Sequence, residues 1–291
     1  MARLHFVPLV SHFVPMCSVC PSPPVLLSLH IVCNFYSAHL CCQTERNNQK
    51  HMKKFVMFIT VAVGLMQTSC NKKLLEYESD DVRVEIAEGE EWLHDFPLFL
   101  GIKKKNPPQI AIWIEDSSGR YVSTIYVSQK IATEGWLNAS GNRRKEALPC
   151  WCHSRGIRYD DGLFCPTKQQ PVTDALTGAT PRKGFSMYFR EKTGLQRFRV
   201  LVEVNHSTDF TDVYAKDAAP SSPYYSGGKE GSGQPALVYM ADIDLSTQSR
   251  SFTASLIGHS SPDGSDGGIY TDMEGIDSAL RIVKQITVKL K

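Results

Sequence analysis

Apolar and polar residues alternate along several short stretches of the chain, and each stretch reads as a strand with one buried face. Val82, Val84 and Ile86 alternate with Arg83 and Glu85. In QIAIWIE (109–115), Ile110, Ile112 and Ile114 fall on one face and Ala111 and Trp113 on the other. Asp116-Ser-Ser-Gly119 is a turn cluster and Tyr121 to Val127 follows as a second strand, so 109–127 predicts a hairpin. Phe185, Met187 and Phe189 alternate, Glu191-Lys-Thr-Gly194 turns the chain, and Phe198, Val200, Val202 and Val204 return it, which predicts a second hairpin. Ala236 to Leu245 and Phe252 to Ile257 are two further strand candidates. Asp277 caps a predicted short helix over 278–284, and Ile286, Val288 and Leu290 close the chain with a strand.

Roughly eight strands with almost no helix predict an all-β fold. Half-polar strands bury one face against a second sheet, so the expectation is an antiparallel β-sandwich, immunoglobulin-like or related, with long loops and one short C-terminal helix. The long segments 129–184 and 206–235 read as loops added to that frame, and loops of this length in a compact domain tend to carry function. SGGKEGSGQP (226–235) reads as flexible on composition.

The first eighty residues have a different character. From Met52 the chain runs MKKFVMFITVAVGLMQTSC, with basic Lys53 and Lys54, an apolar run from Phe55 to Met66, and small residues leading into Cys70. That order is a secretory signal, and the run is too short to span a bilayer. The cysteine after small residues resembles a bacterial lipobox, with a departure at Gln67. The resemblance implies a diacylglyceryl group on Cys70, removal of residues 52–69, and a periplasmic protein held on a bacterial membrane by its lipid. Residues 70–80 then serve as a tether and 81–291 as a single domain. Residues 1–51 hold Cys17, Cys20, Cys33, Cys41 and Cys42 and five prolines without a clean period. They are expected to be disordered and to precede the true start at Met52, because a signal is hard to use from an internal position.

Charge removes one class of partner. Residues 1–69 contain five of the 32 basic residues and one of the 30 acidic ones, so the remainder carries about −2. Nucleic-acid binding calls for a basic face instead.

DALTGATP (174–181) fits a turn before the strand at 185, and it also resembles the acceptor motif at which flavin transferases attach FMN. The resemblance implies a phosphodiester between Thr180 and FMN. Asp174 and Thr177 would bond nearby backbone, Gly178 would permit an unusual backbone, and Ala175 and Ala179 would leave room for the transferase.

A wider resemblance covers about residues 80–285. WIEDSSGRYVSTIYVS (113–128), ALPCWCHSRG (147–156), DALTGATPR (174–182), VEVNHSTDF (202–210) and GHSSPDGSDG (258–267) resemble the successive blocks of a family of predicted periplasmic proteins, domain of unknown function 2271. The chain departs at Cys150 and Cys152, where apolar or small residues are expected. The family carries no agreed activity, and its association with flavin transferases implies redox work in the cell envelope.

Cys150, Cys152 and Cys165 can be drawn with His153 as a zinc site, but the second cysteine pair of such sites is missing. An oxidising compartment favours a disulfide from Cys165 to one of the other two, leaving one thiol over. His153, Arg155, His206 and His259 lie at strand ends or in loops and would form a polar pocket beside Thr180 if those ends meet. Arg155 would then hold a phosphate and a histidine would bond the flavin ring. Asp263-Gly-Ser-Asp-Gly-Gly268 lacks the spacing of a calcium loop and reads as a surface turn. Neither a GxSxG nucleophile nor a P-loop is present. Two function classes follow: a lipid-anchored carrier of covalent FMN, working with a flavin transferase and envelope redox partners, and a flavin-free binding or scaffold lipoprotein. A hydrolase using the histidines is a third, weaker reading.

Overall fold

The computed structural model describes residues 82–97, 102–136, 141–190 and 194–291, all within one unit, Lys73–Lys291. The expected upstream segment, signal, lipid-bearing Cys70 and tether therefore lie outside the described residues. In chain order the strands are β1 (Val82–Glu88), β2 (His94–Pro97), β3 (Lys103–Asn106), β4 (Gln109–Asp116), β5 (Tyr121–Ser128) and β6 (Leu176–Gly178). They continue as β7 (Phe185–Phe189), β8 (Arg197–Asn205), β9 (Leu237–Asp244), β10 (Ser251–Thr253), β11 (Ser255–His259) and β12 (Val283–Leu290). Among the described residues helix is confined to α1 (Gln129–Ala132), α2 (Pro149–Ser154) and two 3-10 turns, Gly228–Glu230 and Ser278–Arg281. The protein is thus mostly β, with three sheets and only short helices among the described residues.

The four-stranded sheet has the order β10-β12-β1-β7, the six-stranded sheet β11-β9-β8-β4-β5-β6, and β2 pairs with β3 alone. Every pairing between these strands is antiparallel except that of β5 with β6. Alternation selects the shared core. Val82, Val84 and Ile86 of β1 and Ile286 and Val288 of β12 join Ile110, Ile112 and Ile114 of β4 and Val200, Val202 and Val204 of β8 in one apolar cluster.

The six-stranded sheet also buries its other face. Ala111, Trp113, Leu201 and Val238 pack with Leu148, Trp151, Cys152 and Cys165. The segment after β5 is therefore a cover over that face, where the sequence suggested a grafted loop. Trp113 and Trp151 are both fully buried in it, and emptying either site would cost about 3–5 kcal/mol. Glu203 of β8, also fully buried, accepts the backbone N–H groups of Cys150 and Trp151 at 3.1 and 2.8 Å and so ties α2 to the sheet.

Several expectations need correction. The hairpin over 109–127 forms, as β4 and β5. The second predicted hairpin does not: β7 pairs with β1, while β8 lies between β4 and β9 in the other sheet. Phe252 to Ile257 is likewise divided, β10 pairing with β12 and β11 with β9, so the chain passes between sheets at Ala254. The helix expected over 278–284 is a single 3-10 turn, because β12 already begins at Val283; the Asp277 side chain does cap it, accepting from Ser278 N–H. The glycine-rich 226–235 stretch is packed. Ser226, Ser232 and Gln234 are buried, and Gln234 donates to Asp209 Oδ2 at 2.8 Å.

Candidate functional site

The DALTGATP stretch forms the outermost strand of the six-stranded sheet. β6 runs parallel to β5, with Tyr126 opposite Leu176 and Ser128 opposite Gly178. The Tyr126 hydroxyl donates to the Gly178 carbonyl at 3.1 Å, and the Trp92 indole N–H donates to the Pro181 carbonyl at 3.1 Å. Between these ties Thr180 turns inward. It is 8% exposed, and its Oγ1 lies 2.8 Å from Ser128 Oγ. Ser128 Oγ also accepts from Ile110 N–H at 2.8 Å. The accessible hydroxyl that a transferase needs is thus replaced by a buried one already in a hydrogen bond.

The other motif residues also differ from expectation. Among the described residues the side chains of Asp174 and Thr177 make no hydrogen bond. Gly178 does not take positive φ, and a Cβ there would meet only Tyr126 Cε2 at 4.0 Å, so no unusual backbone demands the glycine. Asp174 and Ala179 are exposed and Ala175 half-buried, in keeping with an approachable edge.

The four candidate cofactor side chains have separate partners. His153 bonds the Pro149 carbonyl through Nδ1 at 2.8 Å and sits 4.3 Å from the Phe164 ring. Arg155 lies 5.0 Å over the Trp151 ring and donates to the Tyr159 hydroxyl at 3.3 Å. It shares one neighbour with the motif, since Arg155 and Asp174 both act on the Tyr121 hydroxyl, whose pKa burial raises first. His206 donates through Nε2 to the Glu91 carbonyl at 2.8 Å, with the His94 ring 5.1 Å away. Burial pushes His206 down to about 3, so it is neutral and structural. His206, His259 and Thr180 do reach the same end of the six-stranded sheet, at β8, β11 and just past β6. β11 and β6 are its opposite edges, however, five strand spacings or roughly 24 Å apart. The structure therefore does not gather these residues around Thr180.

The cysteines form neither of the expected sites. Cys150, Cys152 and Cys165 are free and buried. Burial raises all three thiol pKa values. Among the described residues, no three His, Cys, Asp or Glu side chains converge as metal ligands.

A different site lies at the β11 edge. The segments after β8 and β11 enclose a cleft of about 430 Å³. Tyr214, Tyr224, Tyr225 and Tyr270 line it, together with the carboxylates of Asp263, Asp266, Asp272 and Glu274, and no lysine or arginine does. Local backbone chemistry sets the acids in place. Asp263 accepts from Ser265 N–H at 3.0 Å, Asp266 from Gly268 N–H at 2.7 Å, and Asp272 from Glu274 N–H at 3.1 Å. Each is an Asx turn in which the side chain bonds the backbone two residues on. Tyr270 is held opposite His259 by a reciprocal pair of backbone hydrogen bonds, both 2.8 Å. That approach requires Gly258, at φ +153°, where a Cβ would stand 2.3 Å from the Tyr270 carbonyl oxygen.

His259 is 6% exposed, lines the cleft and stacks on Tyr270 with ring centres 5.8 Å apart. Its Nδ1 lies 2.7 Å from the Ser260 carbonyl oxygen. A carbonyl only accepts, so Nδ1 carries a proton. Nε2 has no hydrogen-bond partner among the described residues. The field in the cleft is negative: burial first, then Tyr224, Asp272 and Glu274, push Tyr214 up to about 12. Tyr270 is raised chiefly by its hydrogen bond to Asp266, 2.9 Å long.

Of this site the sequence singled out His259, and read the acids of 263–268 as a surface turn. The tyrosines escaped notice because they come from two loops far apart in the chain; the signal available was aromatic density in PYYSGG (223–228) and beside acids in IYTDMEG (269–275). Comparison of the chain with family models, with curated proteins and with solved structures finds no match.

Proposed function

We propose that the chain is a flavin-free, lipid-anchored periplasmic protein that binds a ligand in the tyrosine- and carboxylate-lined cleft. In this reading the four- and six-stranded sheets are the layers of a β-sandwich, immunoglobulin-like or related, whose common core holds the loops in place. The observation that carries the reading is His259: a nine-tenths-buried ring, fixed at Nδ1, whose unpartnered Nε2 belongs to a residue lining a cleft of ligand size. Secretion and lipid attachment come from the MKKFVM…TSC segment. The site has acceptors and aromatic faces without an evident nucleophile–base pair, which suits binding better than catalysis.

The FMN-carrier reading keeps one support, the DALTGATP pattern on a sheet edge where Asp174 and Ala179 are exposed. It requires Thr180 to leave Ser128 before a transferase can reach it.

A thermal-shift panel of organic cations, neutral oligosaccharides and dicarboxylates tests the binding reading on wild type and Tyr270→Ala. Tyr270 is 44% exposed, so its loss costs the fold little. A ligand at a hundredfold its Kd stabilises by about 2.7 kcal/mol. One class should raise Tm in wild type and less in the variant. No shift from any class, or equal shifts in both proteins, would overturn the assignment.

A further inference from the structure

We infer that the ligand of this cleft is an aliphatic oligoamine, a chain of methylenes bearing two or more ammonium groups. The inference rests on the binding reading above and specifies its ligand.

Charge is the first argument. Four carboxylates line the cleft without a lysine or arginine among them. Among the described residues, the counter-charge paired with these acids is Lys145, 3.9 Å from Asp263. The Glu274 carboxylate has neither an ion pair nor a hydrogen bond among the described residues. An anionic occupant would meet like charge, and a neutral one would leave the negative charge of these groups unbalanced. A cationic occupant balances it.

Spacing is the second argument. The acids do not converge, since no three of them with His259 form a metal-ligating group. A divalent ion needs six or more oxygens at one point. Carboxylates spread along a cleft instead match charges spread along a chain.

The tyrosines and His259 supply the rest. Tyr214 and Tyr224 meet edge to face, with ring centres 5.4 Å apart and planes at 88°. Aromatic faces attract ammonium groups and pack against methylenes. His259 Nε2 adds a polar atom without a partner among the described residues. An ammonium supplies three donors to the carboxylates and the charge at once.

Spermidine is the probe, titrated calorimetrically into the chain at low salt. Raffinose, a neutral oligosaccharide, is the comparison ligand. Asp272 and Glu274 are exposed and outside the core, so Asp272→Asn with Glu274→Gln removes two charges and leaves the fold intact. Spermidine should bind wild type, the double variant should bind about tenfold or more weakly, and added salt should weaken wild type more than the variant. No spermidine binding, or binding indifferent to the double substitution, would overturn the inference. Binding of raffinose with spermidine silent would remove the ligand class and leave the cleft as a binding site. Silence of both ligands here and of every class in the thermal-shift panel would remove both.

Discussion

Thr180 and Ser128 share a hydrogen bond of 2.8 Å between hydroxyls that are both buried. Thr180 is therefore a fastener. It holds the chain leaving β6 against the end of β5, beside the Ile110 backbone that Ser128 also engages. Thr180→Val keeps the shape and removes the bond, and should lower stability by about 1 kcal/mol. Chemical denaturation measures this. An unchanged midpoint would mean that the hydroxyl holds nothing.

Glu203 gives stability a pH dependence. Burial pushes its carboxyl up to about 8, and the N–H groups of Trp151 and Cys150 only partly oppose that. The folded protein keeps the proton where the unfolded chain, titrating near 4.5, has lost it. Stability owed to this group is complete below about 4.5 and lost as pH rises through about 8. Glu203→Gln does not ionise, so the Tm advantage of wild type over the variant should shrink across that window. The change is on the order of a few kcal/mol, since each pH unit of displacement is about 1.4 kcal/mol. A difference that stays constant or widens with pH would refute the assignment.

What the sequence revealed was the period of the longer strands. Val82, Val84 and Ile86 alternate because one face meets the core and the other does not, and the same rule found β4, β5, β8 and β12. Pairing was not legible. β7 and β8 look like a hairpin because a turn separates two alternating runs, yet alternation says nothing about which sheet edge a strand joins. β2, β3 and β6 were missed since HDFP, KKKN and LTG lack an apolar period. The second core was signalled only by Trp113, a large apolar residue on the face of β4 opposite the isoleucines. Its cover came from a segment without repeating pattern, so α2 was not predicted. The cleft was least legible, because Tyr214 and Tyr270 meet only through the tertiary fold.

The thiols should be inert while the protein is folded. Burial raises Cys150, Cys152 and Cys165, so little thiolate is available to react. Alkylation followed by peptide mapping should label these three cysteines slowly in native protein and completely after denaturation. Rapid native labelling, or a disulfide joining Cys165 to Cys150 or Cys152, would contradict the packing described.

The central claim is that this chain works through its cleft and leaves Thr180 unmodified. Intact mass of the protein, after coexpression with an active flavin transferase and a known acceptor as positive control, tests it most directly. The account predicts a chain without added flavin beside a fully modified control. A gain of one FMN less water, lost in Thr180→Ala, would contradict it and restore the carrier.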